Sequence, residues 1–140
     1  MELPECFYRI SVKALILNEE RDKFLLVKEE GNNKWELPGG GLDWGMSPQE
    51  DVKREVKEEM GLEVSWVAEH PSYFLTDLSH LPDRPRANVI YEVRVTSLDF
   101  TPSDECVEIR FVDAAEAREL DLFENVHIFT GLFDASRHST

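Results

Sequence analysis

Wound as an α-helix at ~100° per residue, positions 48–60 bring Asp51, Glu55, Glu58 and Glu59 within about 100° of arc. Val52, Val56 and Met60 form an apolar stripe along the border of this acidic face, while Lys53 and Lys57 fall on the far side. Like charges one turn apart destabilise a helix, and a solvated face would intersperse the lysines among the acids. Here the two signs are segregated. One physical reason to gather carboxylates is a hard divalent cation: Mg²⁺ takes oxygen ligands, keeps some of its water and shares its shell with substrate phosphates. The other reading is an ordinary acidic face on an acidic protein, and the helix geometry leaves both open.

The helix that carries these acids has sharp boundaries. Ser47 is an N-cap, Pro48 suits the first helical position, Glu50 completes a capping box, and Gly61 stands where the helix must stop. A helix over 48–60 follows. Just upstream, Trp35-Glu36-Leu37-Pro38-Gly39-Gly40-Gly41 brings three consecutive glycines close to it in sequence. Alternation over Phe7 to Leu17 predicts a half-buried strand with Arg9, Ser11 and Lys13 on its polar face. Phe24-Leu25-Leu26-Val27 predicts a buried strand that pairs with the first as a hairpin across a turn at Glu19 to Asp22. Further strand patterns cover Leu62 to Trp66, Tyr73 to Leu75, Val89 to Val95 and Val107 to Phe111, and Ser79 to Arg86 reads as a loop. Asp113 with Glu116 is a second capping box, opening a short helix to about Leu120. Val126, Phe129 and Phe133 have the spacing of a last amphipathic helix. The sum is an α/β chain with a mixed or largely antiparallel sheet and three helices, read as one domain over 1–140.

Gly40 to Leu62 resembles the Nudix box, which reads glycine, five residues, glutamate, seven residues, then Arg-Glu-aliphatic-any-Glu-Glu-any-Gly-aliphatic. The chain supplies Gly40 and then Arg54-Glu55-Val56-Lys57-Glu58-Glu59-Met60-Gly61-Leu62 at that spacing. One position departs: Met46 stands where the pattern places its first glutamate, in the loop, with a supporting role. Methionine offers no hard-oxygen ligand and accepts no charge-assisted hydrogen bond. Asp43, three residues earlier, is a candidate replacement charge.

The resemblance implies a Nudix-type α/β/α sandwich with a mixed sheet. It further implies hydrolysis of a phosphoanhydride bond in a nucleoside diphosphate linked to another group, with Mg²⁺ as cofactor and Mn²⁺ as a possible substitute. By the same resemblance Glu58, Glu59 and the Gly39 carbonyl hold the metal, Glu55 is a further ligand or orients water, and Arg54 pairs with a box carboxylate. The general base is a helix glutamate or a later acid, with Asp104, Glu105 and Glu108 as candidates. Arg9, Lys13, Arg84, Arg86 and Trp44 are the expected substrate contacts. For Trp44 the alternatives are a hydrophobic plug and a platform for a base. Three competing readings share the sequence: a domain of this fold that binds nucleotide and regulates, a metal-assisted isomerase such as isopentenyl diphosphate isomerase, and an interaction protein with an acidic helix.

Composition narrows the partners. The 29 acids against 15 bases give a net charge of −14, which excludes a general basic surface for nucleic acid. From Asp43 to Glu63 there are seven acids and three bases, so the helix region supplies only part of the excess. A divalent cation reconciles such charge with a phosphate-bearing substrate. Two distant cysteines, Cys6 and Cys106, make neither a metal cluster nor a disulfide framework. With no basic, apolar leader at the N-terminus and no membrane-length apolar run, the reading is a cytoplasmic protein with a nucleotide-type partner. Oligomeric state stays open, with a homodimer among the alternatives.

Overall fold

The computed structural model describes residues 1–78 and 84–139. Among the described residues eight strands and three α-helices follow in chain order: β1 (Arg9–Ile16), β2 (Phe24–Lys28), β3 (Trp35–Glu36), β4 (Gly39–Gly41), α1 (Pro48–Met60), β5 (Val64–Val67), β6 (Tyr73–Asp77), β7 (Arg86–Val95), β8 (Glu108–Val112), α2 (Ala114–Arg118) and α3 (Glu124–Thr130). A short 3₁₀ turn, Ala135–His138, ends the described chain. The five-stranded sheet runs β4-β1-β7-β5, with β6 also paired to β7, and is mixed: β1 and β7 are parallel while the other pairings are antiparallel. The second sheet, β3-β2-β8, is antiparallel.

The expected hairpin of β1 and β2 does not form. Both edges of β1 are occupied, by β7 along its whole length and by β4, so β2 joins the other sheet and touches β1 only through the bridge Leu17↔Phe24. Asn18 holds the intervening turn by accepting from the backbone N–H groups of Asp22 and Lys23. The strand is also not half-buried: Val12, Ala14 and Ile16 join one core cluster, Leu15 joins the other, and Ser11 and Lys13 are buried with them. Alternation predicted a solvated face here, but the second layer covers it.

Two apolar layers result. Val52, Val56 and Met60 of α1 are fully buried against Val12, Ala14, Leu25, Val27 and Val93. On the other side Val126 and Phe129 of α3 pack with Leu15, Phe24, Leu26, Tyr73 and Ile90. Each fully buried large aliphatic side chain contributes roughly 1.5–3 kcal/mol, so these layers fix where α1 lies. Ser47 caps α1 by accepting from Glu50 N–H at 3.2 Å, and Gly61 closes it through a bond to the Lys57 carbonyl at 2.8 Å. The second capping box is present at Asp113 and Glu116, though α2 stops at Arg118, short of the expected Leu120.

The glycine run is a strand. In β4, Gly39, Gly40 and Gly41 pair with Lys13, Val12 and Ser11. At Gly39 φ is +135°, and a Cβ would run into the carbonyl oxygen of Val12 and the Cα of Lys13. All of these are backbone atoms of β1, which cannot swing aside as the end of a side chain can. Gly39→Ala is therefore expected to destabilise the protein by about 1–3 kcal/mol, measured as a lower urea midpoint at an unchanged slope.

Candidate active site

A cleft of about 350 Å³ opens where the two sheets diverge, lined by Lys13 of β1, Val27 and Glu29, Lys34 and Glu36, Gly39 and Gly40 of β4, Glu59 of α1, Arg86 of β7, Glu105 and Phe123. The packing just described positions it. The apolar stripe of α1 faces the core, so Glu59 on its border reaches the cleft wall. Carboxylate oxygens of Glu55, Glu59 and Glu105 lie within 4.8 Å of one another. A larger depression of about 540 Å³, around Asn18, Arg21, Glu92 and Arg94, contains none of these three.

Glu59 is the most constrained member. It is 5% exposed, and its Oε1 accepts from the Gly39 N–H at 2.8 Å. Burial pushes its carboxyl up to about 8, Glu55 and Glu105 push in the same direction, and Lys13 with the Gly39 bond opposes them. Glu55 is also raised, first by burial, with Arg54 opposing and Asp51, Glu58 and Glu105 adding. Its carboxylate lies against the β4 backbone so closely that a Cβ on Gly40 would come within 2.6 Å of its Oε1. Glycine at 40 is what lets helix and strand share that space. Glu105 approaches from the loop before β8 and is exposed.

Arg54 ties the helical acids together. It donates to Asp51 Oδ1 at 2.7 Å, to Glu55 Oε1 at 3.0 Å and to Glu58 Oε2 at 3.0 Å. These partners hold its guanidinium fully protonated, Asp51 first and then Glu58. Glu58, expected among the chief metal holders, lies outside the converging set: its side chain is 53% exposed and points to Arg54. One residue along the helix turns the side chain by ~100°, so Glu59 faces the cleft and Glu58 faces solvent.

The remaining expected residues divide. Lys13 lines the cleft with its Nζ 3.7 Å from Glu36 Oε2, and Arg86 lines it with a nitrogen 3.9 Å from the same oxygen. Arg9 instead pairs with Asp43 at 3.0 Å on the surface, and Asp43 is not among the three converging carboxylates. Trp44 is fully exposed and plugs nothing; it borders a shallow depression with Tyr8, Arg9, Leu42 and Met46. Glu108 lies 3.5 Å from both Lys28 and Arg110, with its side chain 44% exposed, apart from the three carboxylates. Arg84 is exposed. Of the loop expected over Ser79 to Arg86, residues 79–83 lie outside the described residues and Arg86 opens β7.

Sequence reasoning missed Lys34, Glu36 and Phe123 as cleft residues. It also missed a buried support: Asn125 donates to Glu36 Oε1 at 2.7 Å and to Asn88 Oδ1 at 3.1 Å, and Asn88 donates to Asp77 Oδ2 at 2.7 Å. Asp77 Oδ1 in turn stands 3.5 Å from Arg86 Nε. This chain joins β6, β7, α3 and β3, so no local pattern announces it.

The residues fit a divalent cation. Three carboxylates converge, one of them buried, and the oxygen-only donor set suits Mg²⁺ or Mn²⁺ rather than a soft ion. The NUDIX domain family matches residues 7–130. This chain belongs to the Nudix family. The RNA pyrophosphohydrolase of a Nitratiruptor species is 35% identical over 75 residues, covering 50% of this chain and 48% of that protein. The RNA pyrophosphohydrolase of Acinetobacter baylyi is 27% identical over 112 residues, 76% of this chain and 68% of the relative. The chain thus spans about half the length of some curated relatives it matches. The crystal structure of the MutT protein from Methanosarcina mazei Go1 superposes with a TM-score of 0.77 at 28% identity, over 98% of this chain and 100% of that one. The Nudix fold expected from the box is the fold observed.

Proposed function

We propose that the protein is a Nudix pyrophosphohydrolase that cleaves a phosphoanhydride bond in a nucleoside diphosphate linked to another group. The observation that carries this reading is the convergence of Glu55, Glu59 and Glu105 at the mouth of a cleft that also presents Lys13, Lys34 and Arg86. Acids alone would repel a diphosphate. Acids beside lysine and arginine can hold a cation and receive the phosphates it bridges.

Glu59 and Glu55 would hold Mg²⁺, with the Gly39 backbone beside them; when bound, the cation polarises a phosphoryl oxygen and lowers the pKa of its water. The Gly39 N–H fixes the Glu59 carboxylate, and Arg54 fixes that of Glu55. Lys13 and Arg86, each near Glu36, neutralise phosphate oxygens, and Phe123 gives an apolar wall for the nucleoside. Glu105, the exposed carboxylate of the three, takes the proton of the attacking water at a carboxylate oxygen. Charge neutralisation and positioning do most of the work in such a transfer.

The test is turnover of a panel of nucleoside diphosphate derivatives with Mg²⁺, Mn²⁺ or EDTA. An RNA bearing a terminal pyrophosphate linkage joins the panel because the relatives are named RNA pyrophosphohydrolase. Metal-dependent release of phosphate or nucleoside monophosphate is expected. Glu58→Gln should cost less activity than Glu105→Gln, because Glu58 lies outside the converging set. No turnover on the panel with nucleotide binding retained would instead support a regulatory binding domain.

A further inference from the structure

We infer that Asp51 is a positioning residue: from the first turns of α1 it supplies the supporting negative charge that the Nudix box places at residue 46. The inference rests on the proposed role of Glu55 in the cation-holding set. At 46 the chain has Met46, half-buried in the depression with Tyr8, Ile10 and Leu42 and unable to accept from a guanidinium. Asp43, the acid nearest to it in the loop, is exposed and bonded to Arg9. Asp51 has neither handicap. Its backbone N–H donates to the Ser47 carbonyl at 3.0 Å, so it sits one turn above the cap, at the end of the helix where residue 46 enters.

The side chain of Asp51 is fully buried. Its Oδ1 accepts from Arg54 at 2.7 Å, the shortest of that arginine's three bonds. Arg54 then reaches Glu55 Oε1 at 3.0 Å, which makes a chain from a buried anchor to a carboxylate of the converging set. The other Asp51 oxygen has no hydrogen-bond partner among the described residues. A buried carboxylate with one oxygen unpartnered weakens folding, whereas alanine at this site would carry no such penalty. The bond to Arg54 and a place in the first turn of the helix offset part of that cost; what the aspartate adds beyond them is a fixed seat for the guanidinium. Without Asp51 the guanidinium keeps a largely exposed partner, Glu58, and the neighbouring Glu55, and it no longer has a fixed seat from which to aim the latter.

The experiment compares wild type, Asp51→Ala, Met46→Glu and the Met46→Glu/Asp51→Ala double variant, with Asp51→Asn as an isosteric second probe should the alanine chain unfold. In the metal-free protein, the Arg54 Nη signals in ¹⁵N-edited NMR spectra are expected to be resolved by hindered rotation in wild type, averaged in Asp51→Ala and resolved again in the double variant. Mn²⁺ affinity, read by electron paramagnetic resonance, should fall about tenfold or more in Asp51→Ala, the usual effect of losing a partner of a metal ligand. It should return to within about threefold of wild type in the double variant. Averaged Arg54 signals in wild type would overturn the inference whatever the protein hydrolyses, as would unchanged Mn²⁺ affinity in Asp51→Ala or no recovery in a folded double variant. Wild type that fails to bind Mn²⁺ while Arg54 behaves as expected would instead count against the proposed function.

Discussion

Replacing Glu59 with glutamine is expected to abolish metal-dependent turnover and, in the same protein, to raise the stability of the metal-free state. The two effects have one cause. Glu59 is buried between the sheet and two other acids, and its carboxyl is pushed up to about 8. Glutamine is nearly isosteric and uncharged. Its oxygen can still accept from the Gly39 N–H, and its amide can donate to the Glu55 or Glu105 carboxylates nearby. What it cannot offer is an anionic ligand. Partners that merely orient a metal ligand are worth about 10–100-fold in affinity or activity, so a ligand itself should cost at least about 100-fold in kcat/KM. Meanwhile the folded protein no longer carries a buried carboxyl out of register with its unfolded ionisation. At pH 8 that relief is on the order of 1–4 kcal/mol, or roughly 5–10 °C in Tm for a chain of this size. Parallel assays and thermal melts in EDTA decide it. A variant that is inactive and also less stable would show that Glu59 is a structural acid, and a variant with full turnover would remove it from the site.

How much of this was legible in sequence follows from what each feature depends on. The α1 boundaries were readable because caps are local: Ser47, Pro48 and Gly61 each act within one turn, although among the described residues the Glu50 side chain does not close the expected capping box. The acidic face was readable because helix geometry is fixed. Which acids enter the cleft was not, since Glu58 and Glu59 differ only by a rotation relative to a core that the sequence does not display. Lys13 was named as a substrate contact, but its burial was not legible, because alternation reports only that two faces differ. It cannot report that a second layer covers the polar one. Glu105 and Glu108 were equal candidates three positions apart, until β8 paired with β2 and set Glu108 opposite Lys28. The Asp77–Asn88–Asn125–Glu36 chain was invisible because its members come together only when four elements pack. Local backbone geometry was legible, Lys13, Arg86 and Glu105 were legible as candidates by residue type, and the buried support that only long-range packing assembles was not.

The metal-free protein is further expected to lose stability as pH rises from about 5 toward 8, and excess Mg²⁺ should flatten that slope. Glu59 sets the sign. Its folded-state carboxyl titrates near 8 and the ordinary value is 4.5. Between these values the unfolded chain has released the proton while the folded chain still holds it. The folded state therefore binds more protons, and stability falls with each pH unit. The contribution is complete below the ordinary value and gone once pH passes about 8. Glu55, raised chiefly by burial, pulls the same way. Glu116 and Asp134 are shifted down by their hydrogen bonds to Lys23 and Ser136, so what they add is already present above the normal carboxylate range and does not mask the slope. The Cys106 thiol, pushed up to about 11 by burial and then by Glu59, titrates above the window. A divalent cation replaces the proton as the counter-charge in the cluster, so metal and pH must be linked: binding releases protons below about pH 8 and stabilises most above it. Thermal melts from about pH 5 to 9, in EDTA and in excess MgCl₂, measure both slopes, with Glu59→Gln as the control in which the metal-free slope should shrink. An unchanged slope in that variant would assign the pH dependence to other groups, and equal curves with and without Mg²⁺ would mean that these carboxylates do not hold the cation.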